Sequence, residues 1–577
     1  MRLPTRHAAV ALCAVLFSGF GCEKSTDDAP PSAAGVTSRA PKRAEHGMVV
    51  SANAFASRAG AEVLERGGNA VDAAIATGFA LAVTYPTAGN IGGGGFMVIR
   101  FPDGSTTALD FREKAPLSAN PEMFLDEEGQ YSRKRHHDSH LAVGVPGTVA
   151  GFVKAHASYG RQAWPELVRP AVELARDGFE LTPVLAGSLG AMLSEFRRYP
   201  ATLQAFSRDG AAYRSEELLR QPDLARTLDR IMQQGHDGLY RGETARLLAE
   251  EMRRGGGLIT EEDLARYEAK ERQPIRGEYR GYEIIGMPPP SSGGIALIQM
   301  LNILEGYDLA AMGHNSAAYL HHLTEAMRLA FRDRARLLAD TDFVEVPVER
   351  LIDKTYAAEL RGGIDPLRAA VSDPTEADQP AVESHHTTHY SVVDADGMAV
   401  AVTYTLEQGY GSQIVVPGAG FLLNNEMGDF NAKPGLTTRS GLIGTEPNLA
   451  RPEQRMLSSM SPTILARDGH LVAVVGSPGG RTIINTVLQV TLNIIDFEMD
   501  VQQAVDAMRI HHQWLPDEIR LEERVTVPEL QHQLGAMGHR VRLWRQGYAH
   551  SVMIDRETGE RLGAADPRDP DGAAIGY

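Results

Sequence analysis

Residues 69–86, NAVDAAIATGFALAVTYP, read as a helix that is apolar on nearly every side and is stopped by Pro86. A helix without a polar face has nothing to offer water, so it must lie inside the protein, covered all round. The preceding segment, SANAFASRAGAEVLERGG, reads as a second helix ending in a glycine pair suited to a C-cap. After Pro86 comes AGNIGGGGFMVIRF, a glycine run leading into a strand. Dinucleotide-binding loops place their glycines between a strand and a following helix, and here the order is helix, glycines, strand. A phosphate cradle is therefore disfavoured.

The region from about 140 to 340 reads as mostly helical and includes SAAYLHHLTEAMRLAFRDRARLLAD, with apolar residues at helical spacing. Within it MPPPSSGGIALIQML sets a rigid turn before an apolar helix, and residues 355–385 read as an exposed loop open to cleavage. THYSVVDADGMAVAVTYTL reads as a hairpin of two strands around an Ala-Asp-Gly turn. LVAVVGSPGG followed by RTIINTVLQVTLNIIDF reads as a buried strand, a Gly-Gly turn and a long apolar helix. Sheets covered by layers of helices are the natural architecture, and no internal repeat of fixed period is present. A 577-residue chain allows several domains or one large core with insertions. Hydrophobic residues at 43% and charged residues at 23% exclude disorder, collagen and coiled coil. The formal charge, 57 − 74 = −17, excludes a nucleic-acid binder, which needs a basic footprint.

The two cysteines, Cys13 and Cys22, lie at the extreme N-terminus, so the body holds neither a disulfide framework nor a cysteine metal site. Residues 1–22 carry Arg2 and Arg6 ahead of an apolar stretch from Ala8 to Phe20 and read as an export signal. The ending Gly19-Phe20-Gly21-Cys22 resembles a bacterial lipobox, with Cys22 as the lipidated residue, although Gly19 and Phe20 depart from its usual pattern. An ordinary secretory signal is the alternative. Residues 23–46 are polar and rich in Pro and Ala, as in a flexible tether. No later segment has the roughly 18 consecutive apolar residues of a membrane span. The expected location is outside the cytoplasm, in the periplasm or cell envelope.

Among residues that could carry chemistry, ESHHTTHYSVVD stands out. It can be a strand start with surface His and Thr, a metal cluster of His385, His386 and His389, or an N-terminal nucleophile. In the last case a cut before Thr387 frees an α-amine with a pKa of about 8, able to act as base for its own hydroxyl.

The segments GGNAVDAAIA, PTAGNIGGGGFM, LDFREKAP, GVPGT, MPPPSSGG, TTHYSVVD, LLNNEMGDFN, MLSSMSPTI, GSPGGRTIINTVLQ, HHQWLPD and DPRDPDGAAIGY occur in one order from Met48 to Tyr577. Together they resemble the γ-glutamyltransferases, or glutathione hydrolases. The resemblance implies an αββα N-terminal-nucleophile fold, mixed α/β in class. It implies a precursor that cuts itself between His386 and Thr387 into a large subunit (47–386) and a small one (387–577), which stay together as a heterodimer. It implies no metal and no organic cofactor. Thr387 would form a γ-glutamyl ester, and Thr405 would hold its rotamer. Arg112, with Ser458 and Ser459, would grip the substrate α-carboxylate, while Glu426 and Asp429 would accept the α-ammonium. Gly479 and Gly480 would bind the oxyanion. The donor would be glutathione or a related γ-glutamyl compound, and the acceptor water, an amino acid or a peptide.

Two positions depart from the family. Glu407 stands where many bacterial members have Asn and is a candidate further contact to the ammonium. In the lid-like segment NAKPGLTTRSGLIG, Ser440 stands where some members carry an aromatic gate, leaving the balance of hydrolysis against transfer open. Two rivals remain. One is an acylase of the same fold acting on glutaryl or cephalosporin-type amides, and the other is an uncut, inactive lipoprotein serving as a scaffold.

Overall fold

A computed structural model describes residues 39–373, 386–524 and 527–577. The export signal with Cys22, the tether as far as residue 38, and Glu383, Ser384 and His385 lie outside the described residues.

Two seven-stranded sheets form the centre. In the first, the strands run in the order Ala573–Gly576, Met48–Ser51, Thr388–Val393, Ala399–Thr405, Gly94–Arg100, Thr106–Phe111, Lys270–Arg272. In the second, the order is Lys42–Ala44, Arg561–Ala565, His550–Ile554, His470–Val475, Thr463–Arg467, Tyr282–Gly286, Ile275–Tyr279. Strand alternation divides the side chains of the first sheet between two cores. Val49, Met97, Ile99, Val400 and Val402 pack with the helices Ala54–Glu65 and Ala70–Thr84. Their neighbours Met48, Val50, Val98, Ala399 and Ala401 face the second sheet and share a core with Ile464, Val474 and Val552. On the far side of the second sheet lie the helices Gly293–Leu304, Ala317–Leu337 and Thr482–Ile495, which gives the four layers αββα.

The all-apolar segment is the helix Ala70–Thr84, and every residue of it is buried. Asn69 and Asp72 close its first turn as a capping box, which satisfies N–H groups that a buried helix end could not leave to water. The hairpin is also as read, with Val393 opposite Ala399 across a turn containing Gly397 at φ 85°.

Three features differ from the sequence reading. The middle region contributes strands at 270–286 as well as helices. The helix Lys354–Gly362 occupies the start of the segment read as a loop. The tether, read through residue 46, gives way earlier, because Lys42–Ala44 pairs with Arg561–Ala565.

Candidate active site

The register of the hairpin sets Thr388 opposite Tyr404, and so brings Thr387 beside Thr405 at its open end. Both threonines are buried, with their Oγ1 atoms 3.3 Å apart. Thr405 Oγ1 donates to the His386 carbonyl at 3.1 Å and accepts from the Glu407 N–H at 2.9 Å. With its only proton directed at His386, Thr405 can meet Thr387 only as an acceptor, so the Thr387 hydroxyl donates. His389 is fully buried and bonds Thr403 and Ser391 through its two ring nitrogens, 2.8 and 3.0 Å away. Burial, with His550 nearby, holds it well below the usual histidine range and therefore neutral. It is a structural core residue with neither nitrogen left for a metal, and His385 lies outside the described residues.

Arg112 follows the strand Thr106–Phe111 and is completely buried. Its guanidinium forks onto Glu426 and Asp429, and Glu113 Oε2 lies 3.6 Å away. One fixed cation thus faces three carboxylates. Burial drives Glu426 well above the ordinary carboxylate range, and repulsion from Glu113, Asp429 and Glu407 adds to the effect against the pull of Arg112. Glu113 is raised to about 7, first by burial. Glu407, at φ 78°, is also raised by burial and has His137 Nδ1 at 3.7 Å. Burial thus keeps protons on carboxyls that outnumber the one cation, an incoming ammonium can take the place of those protons as counter-charge, and Arg112 would meet a carboxylate by exchanging its present partners for it.

Arg112, Thr387, Thr405, Glu407, Glu426, Asp429, Ser458, Ser459 and Gly480 all line one cavity. The Ser458 hydroxyl accepts from the Met460 N–H at 3.1 Å, and the Ser459 hydroxyl accepts from Arg334 at 2.9 Å. Each serine oxygen is thus used as an acceptor, leaving its proton to donate to a bound anion. Gly480 borders the cavity just before the helix Thr482–Ile495. Gly479 has φ 130°, and a Cβ there would meet Thr482 Oγ1 at 2.3 Å; it adjoins the lining residue Gly480 without itself lining the cavity. From the lid segment, Gly441, Leu442 and Ile443 reach the cavity. Ser440 instead bonds Thr438, with 2.9 Å between the hydroxyls.

Three further groups went unrecognised in the sequence: Glu113, His137 and Arg334. Glu113 sits inside the quoted LDFREKAP, but its residue type says nothing of burial. Arg334 lies in a helix read only for its apolar period, and no pattern marks His137.

The chain belongs to the family described as gamma-glutamyltranspeptidase, whose model matches residues 56–576. It is 47% identical over 579 residues to the glutathione hydrolase proenzyme of Escherichia coli (strain K12), covering 100% of both chains. Among solved structures it resembles the cephalosporin acylase from Bacillus halodurans, at TM-score 0.83 and 27% identity over 96% of this chain and 99% of that one. It also resembles the Helicobacter pylori gamma-glutamyltranspeptidase, at TM-score 0.54 and 47% identity over 54% of this chain and 90% of that one.

Proposed function

We propose that the protein is a self-processing γ-glutamyl hydrolase and transferase whose nucleophile is Thr387. The observation that carries this reading is that Thr387, Thr405 and the Arg112–Glu426–Asp429 cluster line one cavity, with Thr405 bridging the Thr387 hydroxyl and the His386 carbonyl. In the precursor, Thr387 Oγ1 attacks the His386 carbonyl carbon. The Thr405 hydroxyl stabilises the charge that develops on its oxygen. The peptide C–N bond breaks as the Thr387 hydroxyl proton passes to the departing nitrogen, and the acyl group moves to oxygen as an ester. Water then hydrolyses the ester, leaving the His386 carboxylate and a free Thr387 α-amine.

That amine titrates at about pH 8 and takes the Thr387 hydroxyl proton in the next attack, on the γ-amide carbonyl of the substrate. The proton passes to the leaving amine, and a γ-glutamyl ester remains on Thr387 until water or an acceptor amine takes the acyl group. Gly479 and Gly480, ahead of a helix N-terminus, are the proposed oxyanion donors. Arg112 with Ser458 and Ser459 holds the α-carboxylate, while Glu426 and Asp429, with Glu407 adjoining, hold the α-ammonium. The names of the relatives favour glutathione as donor.

An acylase acting on glutaryl amides is the second reading, favoured by the whole-chain likeness to the Bacillus halodurans enzyme. A glutaryl group has no α-ammonium and so offers the acids beside Arg112 no cation to replace their protons. Intact mass, N-terminal sequencing and hydrolysis of γ-glutamyl against glutaryl amides test both readings, with Thr387→Ala as control. The expected result is a fragment beginning at Thr387 and preference for the γ-glutamyl amide, while the variant stays whole and inert. An uncut, inactive wild type rejects the mechanism, and glutaryl preference selects the acylase.

We also propose export to the cell envelope with a lipid on Cys22. Among the described residues no helix is long and apolar enough to cross a membrane. Loss of membrane association in Cys22→Ala tests it.

A further inference from the structure

Away from its Arg334 end, the long helix Ala317–Leu337 carries His321 and Glu325 one turn apart on one face. His539, from the other end of the sequence, completes a buried cluster in which one ligand atom from each residue lies within 4.8 Å of the others. His321 Nε2 is 2.7 Å from the Asp365 carbonyl, which can only accept, so this nitrogen carries the ring proton. Its Nδ1 lone pair therefore points at His539 Nε2, 2.8 Å away. Fixing a tautomer through a backbone carbonyl on the far nitrogen is how metal-binding histidines are oriented. Among the described residues Glu325 has only long contacts, 3.3 Å to Arg328 and 3.4 Å to the Ala370 N–H, while Arg328 pairs more closely with Asp517.

We propose that His321, Glu325 and His539 form a binding site for one divalent transition cation of the zinc class. Two imidazoles and a carboxylate are a borderline donor set of the kind zinc takes, with a fourth position left for water. Bonds of about 2.05 Å at a tetrahedral angle put the two nitrogens about 3.3 Å apart, so the rings must part by roughly half an ångström. The cation displaces the proton between the rings. His539 takes up a proton on Nδ1 as it releases the one on Nε2, and both imidazoles stay neutral.

His321 and Glu325 precede Thr387 and His539 follows it. If the chain is cut as proposed above, the ion would clamp the two subunits together; binding itself does not depend on the cut.

The test uses the full-length protein, stripped with a chelator and titrated with Co2+ and then Zn2+. Wild type is expected to take up one Co2+ with visible absorption bands of a tetrahedral site, which Zn2+ then abolishes, and Zn2+ is expected to raise its melting temperature. Loss of even an outer partner weakens a metal site about 10–100-fold, so His539→Gln and Glu325→Gln should each weaken binding by at least about 100-fold. Glu325→Gln keeps size and hydrogen bonding should the histidine variant fold poorly. Thr387→Ala, which retains all three ligands, should bind Co2+ like wild type, so a failed cleavage mechanism would not be mistaken for a failed metal site. Absence of the bands in wild type, or unchanged binding in both ligand variants, overturns the proposal.

Discussion

Thr405 has one hydroxyl proton and two lone pairs, and its contacts to the His386 carbonyl, the Glu407 N–H and Thr387 use all three. Removing the hydroxyl while keeping the shape, in Thr405→Val, takes away the donor to the carbonyl under attack. Self-cleavage should slow by about 10²–10³-fold, the usual cost of losing one oxyanion donor. Thr405→Ser should restore most of the rate, and a time course of the precursor band on a denaturing gel checks both. Glu113 makes a different kind of prediction. Its carboxyl is raised from 4.5 to about 7, so between those values the folded chain holds a proton that the unfolded chain has released. Stability therefore falls as pH rises through this window and levels off above it. Glu113→Gln cannot ionise, so its melting temperature should gain on wild type from about pH 4.5 to 7 and keep a constant lead at higher pH.

The glycine run illustrates how an element can be read correctly in type and only later in reason. Order along the chain disfavours a phosphate loop, but the need for glycine comes from the neighbouring backbone. A Cβ on Gly93 would lie 2.1 Å from the Thr405 carbonyl oxygen, against an atom that cannot move aside without dragging the hairpin. Gly93→Ala should cost at least the roughly 1–3 kcal/mol of an overpacked core and also impair cleavage, both readable from a denaturant midpoint and the fragment pattern. Gly362→Ala, with nothing within 4 Å, should do neither. The buried helix and the hairpin were legible because apolar runs and strand alternation are strong signals. Ile275–Tyr279 was not, since it forms a sheet edge where exposed residues alternate with half-buried ones. Lys354–Gly362 buries only Ala357 and so has no apolar period. The candidate site was legible through the family's motifs. Neither Arg112 nor Glu426 sits in a periodic pattern that marks it, and their meeting across 314 residues of chain is a property of the fold.

At the scale of the whole molecule, the proposed cut falls between segments that are woven together. Met48–Ser51 lies between Ala573–Gly576 and Thr388–Val393 in one sheet, and Lys42–Ala44 lies against Arg561–Ala565 in the other. Both pieces therefore contribute strands to both sheets, and the Tyr577 hydroxyl reaches back to the Leu64 carbonyl at 3.1 Å. The processed fragments should elute as one species on size exclusion in native buffer and separate only in denaturant. The same weave gives the protein a direction in time. A continuous chain brings these strands together in a first-order reaction, whereas the two severed pieces must first find each other by diffusion. Recovery of Thr387→Ala after dilution from denaturant should be independent of concentration, while that of the processed protein should fall as it is diluted. The lifetime of the working form would then be set by how slowly it comes apart, because what the intact chain assembled once, its halves have no comparable route to rebuild.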